Sequence, residues 1–100
     1  MALAVKQKSK RTRAGANRSR TILKKIIEAA LRERFPHDTV EVSDGFEDNI
    51  HALVVSKVFD KMTERTKFAH LWKIVEGTDL NDSEKDLITA LIAYSPRELM

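Results

Sequence analysis

The chain reads as an α+β domain behind a basic N-terminal arm, and three observations carry that expectation. Apolar residues recur at three- and four-residue spacing in two separate stretches, near 22–35 and 68–75. Between them, Thr39-Val40-Glu41-Val42 alternates with period two, and the run from Ile50 to Phe59 is rich in β-branched residues. Charge is also divided along the chain. Residues 1–25 hold nine Lys or Arg and no Asp or Glu, whereas the remaining 75 hold nine basic and 15 acidic residues.

One hundred residues make one domain, with a modest core that dimerisation would help. Residues 1–20 form the arm and residues 21–100 the folded domain. In the arm, Lys6, Lys8, Lys10, Arg11, Arg13, Arg18 and Arg20 repel one another with nothing apolar between them, so it is expected to be mobile when alone.

The first helix is expected from Ser19 or Thr21. Ile22, Leu23, Ile26, Ile27, Ala30 and Leu31 make its apolar face, Phe35 closes that face, and Pro36 stops the helix by pushing residue 35 out of the α region. A short strand follows at 39–42, with Asp44-Gly45 as a turn signal. Ile50 to Phe59 is expected to be the central strand. His51, Leu53, Val55 and Lys57 point to one side of it, and Ile50, Ala52, Val54, Ser56 and Val58 to the other. Asp60 or Thr63 caps a second helix carrying the stripe Phe68, Leu71, Trp72 and Val75, with Ile74 beside it and Gly77 at its end. Residues 78–85 read as a polar loop. Residues 83–94 fit two patterns: helical spacing at Leu87, Ile88, Leu91 and Ile92 behind a Ser83/Asp86 cap, and strand alternation over the same run. Periodicity favours the helix slightly. Ser95-Pro96-Arg97-Glu98-Leu99 starts a terminal helical turn with proline at its first position.

Composition removes several function classes. Without cysteine there are no disulfides, thiolate-held zinc or clusters from this chain alone, or cysteine nucleophiles. No apolar run approaches the ~18–20 residues that span a bilayer, and the start lacks a secretion signal, so a cytoplasmic protein without membrane contact is expected. The arm also has the composition of an organellar targeting peptide, although its apolar residues do not line one helical face. Ser43, Ser56 and Ser95 lack a nucleophile elbow or a paired base, and no enzyme or bound cofactor is expected. Asp44, Glu47 and Asp48 do not match a calcium loop and read as a solvated turn. His37 reads as a loop residue and His51 as a structural strand residue. Trp72 and Phe68 follow the helical period and read as core, while Phe46 reads as an exposed turn residue.

Several segments resemble the BolA-like family: Leu31-Arg32-Glu33-Arg34-Phe35-Pro36 at the helix end, Leu53-Val54-Val55-Ser56-Lys57-Val58-Phe59 at the central strand, and Leu91-Ile92-Ala93-Tyr94-Ser95-Pro96-Arg97-Glu98 at the last strand. The resemblance spans about residues 22–99 and turns 83–94 from helix to strand. It implies an α-β-β-α-β order with a short C-terminal helix, and a three-stranded sheet covered by helices on one face, as in the type II KH module. Two family features differ. Lys61 stands where the family has a glycine after Phe59-Asp60, and Lys67-Phe68 stands where it has an Arg-His pair. That histidine is the family's cluster ligand beside a monothiol glutaredoxin; here His70 lies two residues later, a residual metal candidate. Nor is Phe59-Asp60-Lys61-Met62 the Gly-x-x-Gly clamp of nucleic-acid-binding KH modules.

The leading expectation is therefore a small, dimeric, DNA-binding and transcription-associated protein, with RNA as an alternative ligand. Lys8, Lys10, Arg11, Arg13, Arg18, Arg20, Lys24 and Lys25 would contact phosphates. An iron–sulfur adaptor paired with a monothiol glutaredoxin and a structural dimeric interaction module are the alternatives. A basic arm folded over its own acidic domain is the competing role for the same cations.

Overall fold

The computed structural model describes residues 18–100, so the expected mobility of the arm and the placement of Lys8, Lys10, Arg11 and Arg13 lie outside the described residues. Helix α1 spans Arg20–Arg34. Ser19 caps it in extended conformation, its hydroxyl accepting the Ile22 N–H at 3.3 Å. Of the two starts the sequence offered, Ser19 and Thr21, the first is the cap. Leu23, Ile27 and Leu31 are at most 1% exposed, and burying each contributes about 1.5–3 kcal/mol. Ile22, counted on the same face by spacing, lies exposed at its edge. The helix ends at Phe35, whose N–H reaches the Leu31 carbonyl at 2.8 Å just before Pro36.

Strands β1 (Thr39–Asp44) and β2 (Ile50–Val55) pair antiparallel, with Val42 opposite Ala52. Strand β2 is shorter than the run to Phe59 suggested. At Ser56 the chain turns into a 3-10 segment, Lys57–Phe59, with the Ser56 hydroxyl accepting the Val58 N–H. The alternation therefore stops at 56. Val58 is exposed and Phe59 is fully buried, because the turn rotates the aromatic into the core.

Helix α2 spans Glu64–Glu76, and Thr63 rather than Asp60 caps it, through the Thr66 N–H at 3.1 Å. Gly77 ends it at φ −79°, an ordinary right-handed conformation, so the stop does not rely on glycine's left-handed freedom. The polar loop contains one helical turn, α3 (Asp82–Lys85). Its cap is Asn81, not Ser83: the Asn81 side chain accepts the Glu84 N–H at 2.8 Å and the Glu84 carboxylate accepts the Asn81 N–H at 3.0 Å. Strand β3 (Ile88–Tyr94) follows, then a 3-10 turn at Pro96–Leu99 capped reciprocally by Ser95 and Glu98. The slight helical preference over 83–94 was misleading because the segment holds both states in succession: one capped turn, then a strand.

The sheet order is β1-β2-β3, with β2 in the centre and β3 parallel to it. A register shift beside Ile50 and His51 passes over Thr89, so Leu91 aligns with Ala52 and Ala93 with Val54. Parallel pairing needs a crossover, and α2 supplies it. Helix α1 packs on β1 and β2, and α2 on β3 and α1. Between sheet and helices lie Val40, Ile50, Ala52, Val54 and Ala93 with Leu71, Ile74, Val75 and Leu80. The result is an α+β fold with a mixed three-stranded sheet and helices on one face.

The opposite sheet face carries half-buried His51, Leu53 and Val55, with Ile92 and Tyr94 exposed beside them. No helix of the described residues is long and apolar enough to cross a membrane.

Candidate nucleic-acid interface

The cations expected to meet phosphate cluster where the chain enters α1, and the structure gives most of the described ones internal partners. Arg18 reaches across to the segment before β3. Its Nη2 and Nε bond the Glu84 carboxylate at 2.7 and 3.0 Å, its backbone N–H bonds the same group at 2.9 Å, and its Nη1 meets Asp79 at 3.3 Å. The Glu84 side chain is wholly out of solvent. Arg18, with help from the backbone N–H groups of Arg18 and Asn81 against the cost of burial, holds its carboxyl down to about 2. The same pair raises Arg18 above the ordinary guanidinium value. Local capping and a long-range ion pair share one carboxylate.

A second group joins α1 to the β1–β2 connection. Arg20 meets Asp44 at 2.6 Å and Asp48 at 2.7 Å, and Lys24 meets Asp44 at 2.9 Å. Hydrogen bonds from Lys24 and Arg20 lower the Asp44 carboxyl, and the bond to Asp44 raises Arg20. The acidic turn is therefore not merely solvated, because two of its carboxylates are counter-ions for α1. Its backbone bends sharply, with Glu47 at φ 51° and Asp48 at φ 68°, a left-handed conformation unusual for residues with a Cβ. Gly45 is needed here for space, not for its φ of −103°. A Cβ on it would run into the His51 imidazole.

Of the eight nominated phosphate contacts, Arg18, Arg20 and Lys24 are thus paired with carboxylates of their own domain. Lys25 is exposed and has no ion pair among the described residues. The sequence signal for this arrangement was the acidic excess of residues 26–100, but only the fold shows which carboxylates come near α1.

On α2 the spacing argument misplaced Phe68 and Lys67, while Trp72 packs against the core as expected. Phe68 is 51% exposed and Trp72 half-buried, their rings stacked 6.1 Å apart at 8°. Lys67, expected on no apolar face, is 2% exposed. Its Nζ contacts Glu98 at 2.7 Å and Glu64 at 3.0 Å, and lies 6.0 Å from the centre of the Tyr94 ring. The bond to Glu98 raises Lys67, and the bond from Lys67 lowers Glu98. A lysine is buried here because the C-terminal turn brings Glu98 over it, a contact 31 residues away in sequence and invisible to a helical period.

His70 is half-buried, with its ring 6.0 Å from Phe35 and 5.9 Å from Phe59. It packs there as an aromatic. No group of three or more His, Asp or Glu among the described residues is arranged to hold a metal ion. No protein-family model matches the chain, and neither a curated protein nor a solved structure gives a match.

Proposed function

We propose that the protein binds nucleic acid, DNA first, through the cationic sequence that precedes its folded domain, and that the domain is BolA/KH-like. The observation carrying this reading is the division of charge: nine basic and no acidic residues in 1–25, against an acidic remainder. The ion pairs of Arg18, Arg20 and Lys24 narrow the proposal. Phosphate contact falls to Lys6, Lys8, Lys10, Arg11 and Arg13, with Lys25 at the domain edge. The inner cations fasten the entry to α1. The BolA-like reading is supported by the element order and by Lys61, whose φ of 68° lies in the region favouring glycine, where that family has one.

The test is a salt titration of duplex DNA, single-stranded DNA and RNA against the full chain and a variant with those five arm cations changed to glutamine. Loss of five phosphate contacts reduces the steepness of log K against log salt by about 4.5 on duplex DNA. Arg20→Ala leaves the slope in place. Equal binding by the five-fold variant overturns the proposal.

The open sheet face favours a second reading, a homodimeric interaction module. Among the described residues no strand pairs with the outer edge of β3, and Ile88–Tyr94 carries no charge, so two copies meet there without like-charge repulsion. Sedimentation of the native chain and Ile92→Lys tests it. Dimers lost in the variant support the reading, and a native monomer defeats it.

A further inference from the structure

We propose that two copies join through the outer edge of β3, antiparallel and two-fold about Ile92, so that one sheet runs through both. This inference rests on the homodimeric reading above and gives that contact its chemistry, backbone hydrogen bonding in one register. The two edges of the sheet differ. Along β1 the Arg32 Nη2 donates to the Val40 carbonyl at 3.0 Å, and Glu41 and Asp44 add exposed carboxylates. Covering groups and charged side chains keep an edge strand from pairing. Strand β3 has neither protection: Ile88–Tyr94 holds no charged residue and no proline, and among the described residues no strand pairs with its outer side. Its exposed Ile92 and Tyr94 put apolar surface next to that unpaired backbone.

The ladder to β2 fixes which groups are free. In a strand the N–H and C=O of one residue point to the same side, and those of the next residue to the other. The Tyr94 carbonyl accepts the Ser56 N–H at 2.9 Å, so Tyr94, Ile92 and Ala90 turn their backbone groups to β2. Leu91 and Ala93 turn theirs outward. A two-fold axis can lie at Leu91, Ile92 or Ala93. At Leu91 it matches Ala93 with Thr89, which the register shift displaces from the ladder. At Ala93 it matches Leu91 with Ser95, whose N–H is already given to Glu98 Oε1 at 2.7 Å. At Ile92 it matches Leu91 with Ala93 of the second copy, and each outward N–H meets an outward carbonyl. The same axis sets Ile92 against Ile92 of the second copy in the closely spaced, non-hydrogen-bonded position, and the large Tyr94 against the small Ala90.

The chain has no cysteine, so introduced thiols report the register directly. Opposed Ile92 residues have Cα atoms about 4.5 Å apart, within disulfide range. The two Ala90 residues lie about four positions apart along the pair, roughly 13 Å, which is out of range. Sedimentation of the native chain fixes the oligomeric state. Each cysteine variant is then oxidised and read by non-reducing electrophoresis, with circular dichroism verifying its fold. Ile92→Cys is expected to form a covalent dimer. Ala90→Cys and Tyr94→Cys are each expected to stay unlinked alone and to link when mixed. A native dimer whose Ile92→Cys variant stays unlinked, or whose Ala90→Cys variant links to itself, overturns the edge pairing while the homodimeric reading stands. A monomeric native chain overturns both.

Discussion

Replacing Arg18 with alanine removes the cation that holds the buried Glu84 carboxylate. That group accepts four hydrogen bonds, from Arg18 Nη2, Nε and backbone N and from the Asn81 backbone N. The substitution deletes the first two and keeps the other pair. Hydrogen bonds to a charged group are worth about 1.5–3 kcal/mol each, and stranding a buried charge costs about 3–5 kcal/mol. Arg18 is 34% exposed, so water replaces part of what is lost and the expected destabilisation is about 2–3 kcal/mol. For a domain this small each kcal/mol lowers the thermal midpoint by about 4–8 °C, giving a fall of roughly 8–24 °C. Circular dichroism melts at neutral pH measure it.

The pH dependence provides a second check with a fixed sign. The Glu84 carboxyl is lowered from 4.5 to about 2 in the folded state. Its stabilisation is therefore full above the unfolded value and is lost as pH falls from 4.5 toward 2. The gap between the native chain and Arg18→Ala closes over that interval. A midpoint change under about 2 °C at neutral pH would refute the reasoning, as would a gap that is unchanged by acid.

Three further substitutions probe other contacts. Lys67→Ala leaves Glu98 without its cation and is expected to lower the urea midpoint, with the difference from the native chain shrinking below pH 4.5 as Glu98, lowered by Lys67, protonates. Gly45→Ala drives a Cβ into the His51 ring and is expected to cost about 1–2 kcal/mol; a His51→Ala partner recovers most of it, measured as a double-mutant cycle. Lys61→Gly relieves the left-handed backbone at φ 68° and is expected to add about 0.5–1 kcal/mol, seen as a raised urea midpoint.

The sequence by itself determined the elements whose causes are local. Pro36 and Gly77 mark helix ends through neighbouring backbone groups, and the period of α1 placed Leu23, Ile27 and Leu31 on one apolar face, while the structure chose Ser19 and Thr63 as the caps and turned Ile50, Ala52 and Val54 rather than His51, Leu53 and Val55 inward. Tertiary structure decided whatever depended on distant partners. Residues 88–94 fit both a helical and a strand pattern, with periodicity slightly favouring the helix, and the hydrogen bonds offered by β2 make them a strand. Phe68 and Lys67 are neighbours on one helix, yet the lysine is buried because Glu98 arrives to neutralise it, while the aromatic stays outside. The charges at the start of α1 look alike in sequence. Coulomb attraction acts through space, and only the fold shows that Arg18, Arg20 and Lys24 lie within bonding distance of Glu84, Asp44 and Asp48, and that Lys25 does not share those partners.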